Sequence, residues 1–218
     1  MKRKLLLTGG LLFLAAALFL AGRNLLEEYH AARSAQELTM EIENYRSEKS
    51  TTTSLDFPLQ TDPDTLKNVS ETPPAPKEKT SVPQEQSQET PPSFDPSDFL
   101  GTLEIPSKDL VLPVFKDWSY ELLQISPCRY DGALSENNLI LLAHNYWHHF
   151  TKIKELHPGD SVSFTDMSNQ TFFYEVQEIS ILDPDKPQDL YAGNWDLTLF
   201  TCTRNGTARS AVKCRKLQ

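Results

Sequence analysis

The stretch Thr198-Leu199-Phe200-Thr201-Cys202, followed by Asn205-Gly206 and then Arg209, constrains the fold more than any other part of this chain. Asn-Gly between two β-forming runs signals a two-residue hairpin, because both central positions of a type I′ turn need positive φ. With Asn205 and Gly206 at those positions the register follows by counting. Arg204 faces Thr207, Thr203 faces Ala208, and Cys202 faces Arg209. Opposed residues of an antiparallel pair share a face, with Cβ atoms roughly 5 Å apart, so a thiol stands beside a guanidinium on a rigid platform. The cation favours the thiolate, and its fixed donors suit an oxyanion. Arg204 and Arg215 compete for that role, but only Arg209 lies opposite Cys202. The same register sends Cys214, facing Leu197, to the other face with Leu199 and Val212, where it reads as a small buried hydrophobe. The chain has three cysteines, an odd count that leaves at least one thiol free. A Cys128–Cys214 bridge stays open.

The hairpin ends a region of short β-rich runs: 100–105, 110–115, 139–143, 161–165, 172–182, 196–202 and 209–214. Turn signals separate them, including His157-Pro158-Gly159-Asp160 and Ser168-Asn169, and short helical stretches fall near 119–123 and 150–156. No long amphipathic helices alternate with the strands, so a parallel α/β sheet is not expected. The region 98–218 is the size of one domain and reads as all-β, a closed or nearly closed barrel with one or two short helices.

Of the histidines, His144 has the most telling place. Leu139-Ile140-Leu141-Leu142-Ala143 is a continuous apolar run, a buried strand, and His144-Asn145 ends it. A histidine at a strand mouth is rigidly held yet reachable, and can give a proton to a leaving amine or take one from an incoming amine. His148 and His149 follow in the next loop, where one could cap a helix or join His144 in a metal site. A zinc site would need Cys202 as its fourth ligand and has no carboxylate cluster beside it. His30 reads as a solvated helix residue.

The N-terminal half carries no chemistry. Residues 5–22 are uncharged and follow Lys2-Arg3-Lys4, long enough to cross a bilayer with the N-terminus in the cytoplasm and the remainder exported. Phe19-Leu20-Ala21 is a poor cleavage site, which favours an uncleaved anchor over a signal peptide. Residues 1–22 are therefore expected to be the cytoplasmic tip and transmembrane anchor, and residues 23–46 a helical stalk, with Leu25, Tyr29, Ala32, Ala35, Leu38, Ile42 and Tyr45 at three- and four-residue spacing. Residues 47–97 hold nine of the fifteen prolines and read as a disordered Pro/Ser/Thr/Glu-rich spacer that gives the domain reach. Net charge is −9 and evenly spread. With no basic stripe, a nucleic-acid partner is not expected.

Leu142-Ala143-His144-Asn145, the Thr198–Cys202 motif and Arg209 before a hydrophobic strand together resemble the sortases, membrane-anchored cysteine transpeptidases of Gram-positive surfaces. The segment from Leu110 to His144, with Trp118-Ser119-Tyr120 and Ser126-Pro127-Cys128-Arg129-Tyr130, is similar to the family too. Ala143 stands where many members have glycine, the interval from Cys202 to Arg209 is short, and residues 182–196 leave no room for the added helix of the class B type. The resemblance implies an eight-stranded barrel, and a role for three residues. Cys202 would attack an LPxTG-like sorting signal on a secreted protein to give a thioester, Arg209 would steady substrate and oxyanion, and His144 would act as general acid and base. The acceptor would be a cell-wall peptide or a pilin amine. No cofactor or metal is implied, and the site would lie outside the cell membrane. The alternative is a membrane-tethered scaffold that keeps the barrel without turnover.

Overall fold

The computed structural model describes residues 2–53, 94–203 and 206–217; of residues 2–9, 11, 24, 27 and 28 only the backbone is described. Eight strands close into a barrel: β1 (Phe99–Ile105), β2 (Leu110–Phe115), β3 (Cys128–Asp131), β4 (Leu139–Leu142), β5 (Ser161–Asp166), β6 (Thr171–Leu182), β7 (Leu197–Cys202) and β8 (Arg209–Lys216). Their order around the barrel is β1-β2-β3-β4-β7-β8-β6-β5. Two neighbouring pairs, β2–β3 and β4–β7, are parallel, and the others are antiparallel. Because side chains alternate across a strand, one set fills the interior: Leu103, Leu112, Val114, Leu139, Leu141, Phe164, Val176, Leu197, Leu199, Val212 and Cys214 are all buried there.

Seven of the strands coincide with the β-rich runs of the sequence, shifted by a residue or two at their ends. The run that pattern reading missed is β3. It has only four residues, and its register slips between Arg129 and Asp131, so the bulge breaks the alternation that marks a strand. Of the expected helical stretches, the first is α2 (Tyr120–Ile125), capped by Ser119 Oγ accepting from the Leu122 N–H at 3.2 Å. The second is a 3-10 turn over Lys152–Glu155. Gly101 has no alternative as a residue type: a Cβ there would fall 2.2 Å from the Thr165 carbonyl oxygen on β5.

The long helix α1 runs from Lys2 to Thr53 without a break, roughly 80 Å at 1.5 Å per residue. It passes seven residues beyond the expected end of the stalk at Arg46, so the first part of the expected spacer is helical. Residues 94–97 of that spacer are also ordered, with Phe94 stacked on Phe99 at 5.4 Å between ring centroids. The rest of it, 54–93, lies outside the described residues.

The stalk helix packs against the barrel. Ala31, Ala35, Leu38 and Ile42 are buried at helical spacing, and Leu38 and Ile42 join Phe99, Phe115, Leu123 and Cys128 in one apolar cluster on the outside of the barrel. Arg46 reaches across to donate to the Thr165 carbonyl at 2.5 Å. The apolar stripe of α1 therefore covers a barrel wall, and the proline-rich segment begins only after the helix has docked. Among the described residues no helix is long and apolar enough to cross a membrane; residues 5–9 and Leu11 of the expected span are outside the side chains described.

Fully buried Ile42 makes the docking testable. Ile42→Ala should lower the unfolding free energy by about 2–5 kcal/mol, whereas Met40→Ala, on the 56 % exposed side of the same turn, should cost no more than about 0.5 kcal/mol. Equal, small effects in thermal unfolding would mean that the helix does not hold the barrel.

Candidate active site

Cys202 and Arg209 face each other across β7 and β8, the register that counting from the turn requires. The Gly206 N–H donates to the Thr203 carbonyl and the Thr203 N–H to the Ala208 carbonyl, each at 2.8 Å, and Gly206 has φ +71°. Arg204 and Asn205 lie outside the described residues.

The third residue arrives by the parallel pairing of β4 with β7, in which Leu142 matches Phe200. Carried two residues past the end of β4, that register brings His144 level with Cys202. Thr201 ties the two strand ends together: its buried hydroxyl donates to the Ala143 carbonyl at 2.8 Å. On the far side Arg209 matches Leu182 of β6. Cys202, Arg209 and Leu182 therefore form one rung across β7, β8 and β6 on the outer face, while the neighbouring residues Thr201 and Ser210 point inward and are buried.

The cysteines divide as the register requires. Cys202 is exposed, and Cys128 and Cys214 are buried free thiols, so the open question of a Cys128–Cys214 bridge is answered against it. Desolvation pushes both buried thiols up to about 12. Arg209 lies 5.8 Å from the Phe200 ring centroid and has no hydrogen-bond or ion-pair partner among the described residues. Beyond Cys202 the outer face of the sheet is apolar: Ile140, Leu182, Leu190, Phe200 and Ala211 cluster there with Tyr130 against them. Tyr130 meets Phe200 edge-on at 5.1 Å. Two recesses of about 420 and 500 Å³ lie at the opposite end of β6 and β8, around Phe172 and Lys216, away from this chemistry.

Behind His144 is a group that pattern reading did not assign. The ring of Tyr146 lies 5.0 Å from that of His144 and 5.4 Å from that of His149. Asn145 Oδ1 accepts from Thr151 Oγ1 at 2.9 Å and from Lys154 Nζ at 2.5 Å, pinning the loop. His149 is fully buried, and neither ring nitrogen has a hydrogen-bond partner. Burial first, and then the nearby His144, hold it down to about 4; the Ile125 carbonyl, outside hydrogen-bond geometry, opposes the shift. Burial also lowers His144 below the ordinary histidine value. Among the described residues no three of His, Cys, Asp and Glu gather to hold a metal. The one available signal for His149 was its place just before the core residue Phe150.

Two outcomes follow. A small thiol reagent should modify one cysteine rapidly in the folded protein and three after unfolding, and Cys202→Ala should remove the fast one; rapid labelling of Cys128 or Cys214 would contradict the assigned register. The pH dependence has a definite sign. Above about pH 6.5 His149 is neutral in both folded and unfolded chains. As pH falls towards 4 the unfolded chain takes up a proton that the folded chain refuses, so stability is lost across that window, by roughly 3 kcal/mol. His149→Phe should flatten the slope of stability between pH 6.5 and 4, and an unchanged slope would mean that His149 is not the group responsible.

Comparison with known proteins agrees with this arrangement. The sortase domain family matches residues 103–217. Sortase C1 from Streptococcus agalactiae is 27 % identical with a TM-score of 0.50, over 58 % of this chain and 71 % of that one. Sortase C from Streptococcus pneumoniae is 24 % identical with a TM-score of 0.50, over 56 % and 67 %. Sortase A from Corynebacterium diphtheriae, 21 % identical with a TM-score of 0.50 over 55 % and 61 %, shares the fold. No curated protein matches the chain. A closed barrel of this strand order, carrying a Thr-Leu-Phe-Thr-Cys strand and matched by the domain over most of its folded part, places the chain in the sortase family.

Proposed function

We propose that this chain is a membrane-anchored cysteine transpeptidase that cleaves an LPxTG-like sorting signal and passes the acyl group to an amine. The observation that carries the reading is the facing of Cys202 and Arg209 across β7 and β8, with the parallel pairing of β4 and β7 leading His144 towards the same end of the sheet. Cys202 Sγ attacks the scissile carbonyl, and the oxyanion forms beside the unpaired Arg209 guanidinium. His144, kept below its usual pKa by burial, is mostly neutral at pH 7. The proton it gives to the leaving amine is therefore the one it takes from the thiol. The C–N bond breaks to leave a thioester, which the acceptor amine opens while His144 takes the amine proton and the thiol is restored.

The anchor belongs to the same reading. Leu12, Phe13, Leu14, Leu18, Phe19 and Leu20 are more than half exposed around α1, an uninterrupted apolar surface that needs an apolar environment. Lys2-Arg3-Lys4 before it favours a cytoplasmic N-terminus, which leaves the barrel on the outer side, where exported substrates arrive.

Intact mass after incubation with LPxTG-type peptides should show a peptide adduct on the wild type, released by an added amine. Cys202→Ala should show none, and His144→Ala and Arg209→Ala should turn over roughly 100-fold or more slowly. Comparing a wall-peptide amine with a lysine side chain as acceptor separates the two destinations. No adduct with any peptide from a folded wild type would leave the idle scaffold.

A further inference from the structure

Residues 183–196 leave β6 at Leu182, cross the outer face and enter β7. From Asp183 to Ala192 the hydrogen bonds among the described residues are almost all within the segment: Asp185 to Asp183, Lys186 to Asp183, Asp189 to Lys186, Tyr191 N–H to Gln188. Past Ala192 the chain is fastened to β8, with Arg215 donating to the Gly193 and Asn194 carbonyls; residues 183–192 have two tethers of their own to the rest of the barrel. Leu190, 2 % exposed, sits in the apolar cluster with Ile140, Leu182 and Phe200. Next to it, the Tyr191 hydroxyl donates to Asp131 Oδ2 at 2.8 Å, across 60 residues of chain.

The acceptor is held in place before Tyr191 reaches it. Asp131 Oδ1 accepts from the Gly132 N–H at 2.8 Å. Gly132 has φ +74°, and a Cβ there would fall 2.1 Å from the Asn138 carbonyl oxygen, so the chain can leave β3 this way only with glycine. The bulge between Arg129 and Asp131 lets successive residues serve one face, Tyr130 packing on Phe200 and Asp131 bonding to Tyr191. The bond shows in the titration of both partners: the Asp131 carboxyl is held below its usual range, and the Tyr191 hydroxyl is pushed up to about 12.

We propose that Tyr191 and Asp131 are positioning residues, a latch that holds Leu190 on the apolar outer face beside Cys202 and so sets how tightly an extended sorting signal binds. The inference rests on the transpeptidase reading for its substrate. Neither residue touches the reacting atoms, so the latch governs binding and leaves the chemical step alone.

The test compares Tyr191→Phe, Asp131→Asn and the double variant in the full chain. Each single variant should raise KM for the sorting-signal peptide about three- to tenfold, the net worth of one ordinary hydrogen bond, as befits an exposed pair. kcat and the alkylation rate of Cys202 should stay within about twofold, and the double variant should be no worse than either single one. Amide exchange across 183–192 should quicken in all three. Unchanged KM with unchanged exchange would overturn the latch, as would a fall in kcat at constant KM. A wild type that turns over no peptide would defeat the transpeptidase reading instead, and exchange would still decide whether the latch exists.

Discussion

The rest of the site depends on how β7 is held between its two neighbours. On one side it pairs antiparallel with β8, so that Cys202 meets Arg209. On the other it pairs parallel with β4, so that the strand end carrying His144 arrives beside the same cysteine. The buried hydrogen bond from Thr201 to Ala143 locks that second pairing one residue before each reactive side chain. A slip of one residue in either pairing would turn a member of the set into the core. Precision at the thiol is therefore a property of the sheet, and the loops beyond it adjust access.

Rigidity continues behind His144. The rings of His144, Tyr146 and His149 run from the site into the core, and Asn145 closes the loop around them. A buried imidazole with two unpaired nitrogens is unfavourable by about 1–3 kcal/mol for each unsatisfied group, more than a phenylalanine of similar shape would cost. The fold carries that burden directly behind the half-buried histidine of the site, in keeping with the tendency of strained or unsatisfied groups to collect at functional positions.

The N-terminal helix changes what the chain is as a whole. Its stripe of Ala31, Ala35, Leu38 and Ile42 is part of the barrel wall, and Arg46 fastens the far end to β5. On the anchored reading, only about nine residues separate the end of the apolar run from the first buried contact, on the order of 13 Å of helix. The barrel then rides close to the bilayer on a stiff support.

How much of this was legible in the sequence depends on how far apart the interacting residues lie. The Cys202–Arg209 pairing is local: a turn centre and the period of two are enough. The inward direction of Cys214, Leu199 and Val212 came from the same count. His144 was marked by its place at the end of an apolar run, yet its approach to Cys202 required β4 and β7 to lie side by side. That parallel pairing spans more than fifty residues, and no local pattern encodes it. The short, bulged β3, the docking of α1 and the Tyr191–Asp131 bond belong to the same class. Composition and spacing, with the family they resemble, determined that the chain ends in an all-β barrel bearing a cysteine and an arginine on one face. Only the tertiary structure decided that β4 and β7 lie side by side, what covers the barrel wall and what ties residues 183–192 to β3, because those contacts join segments that become neighbours only when the barrel closes.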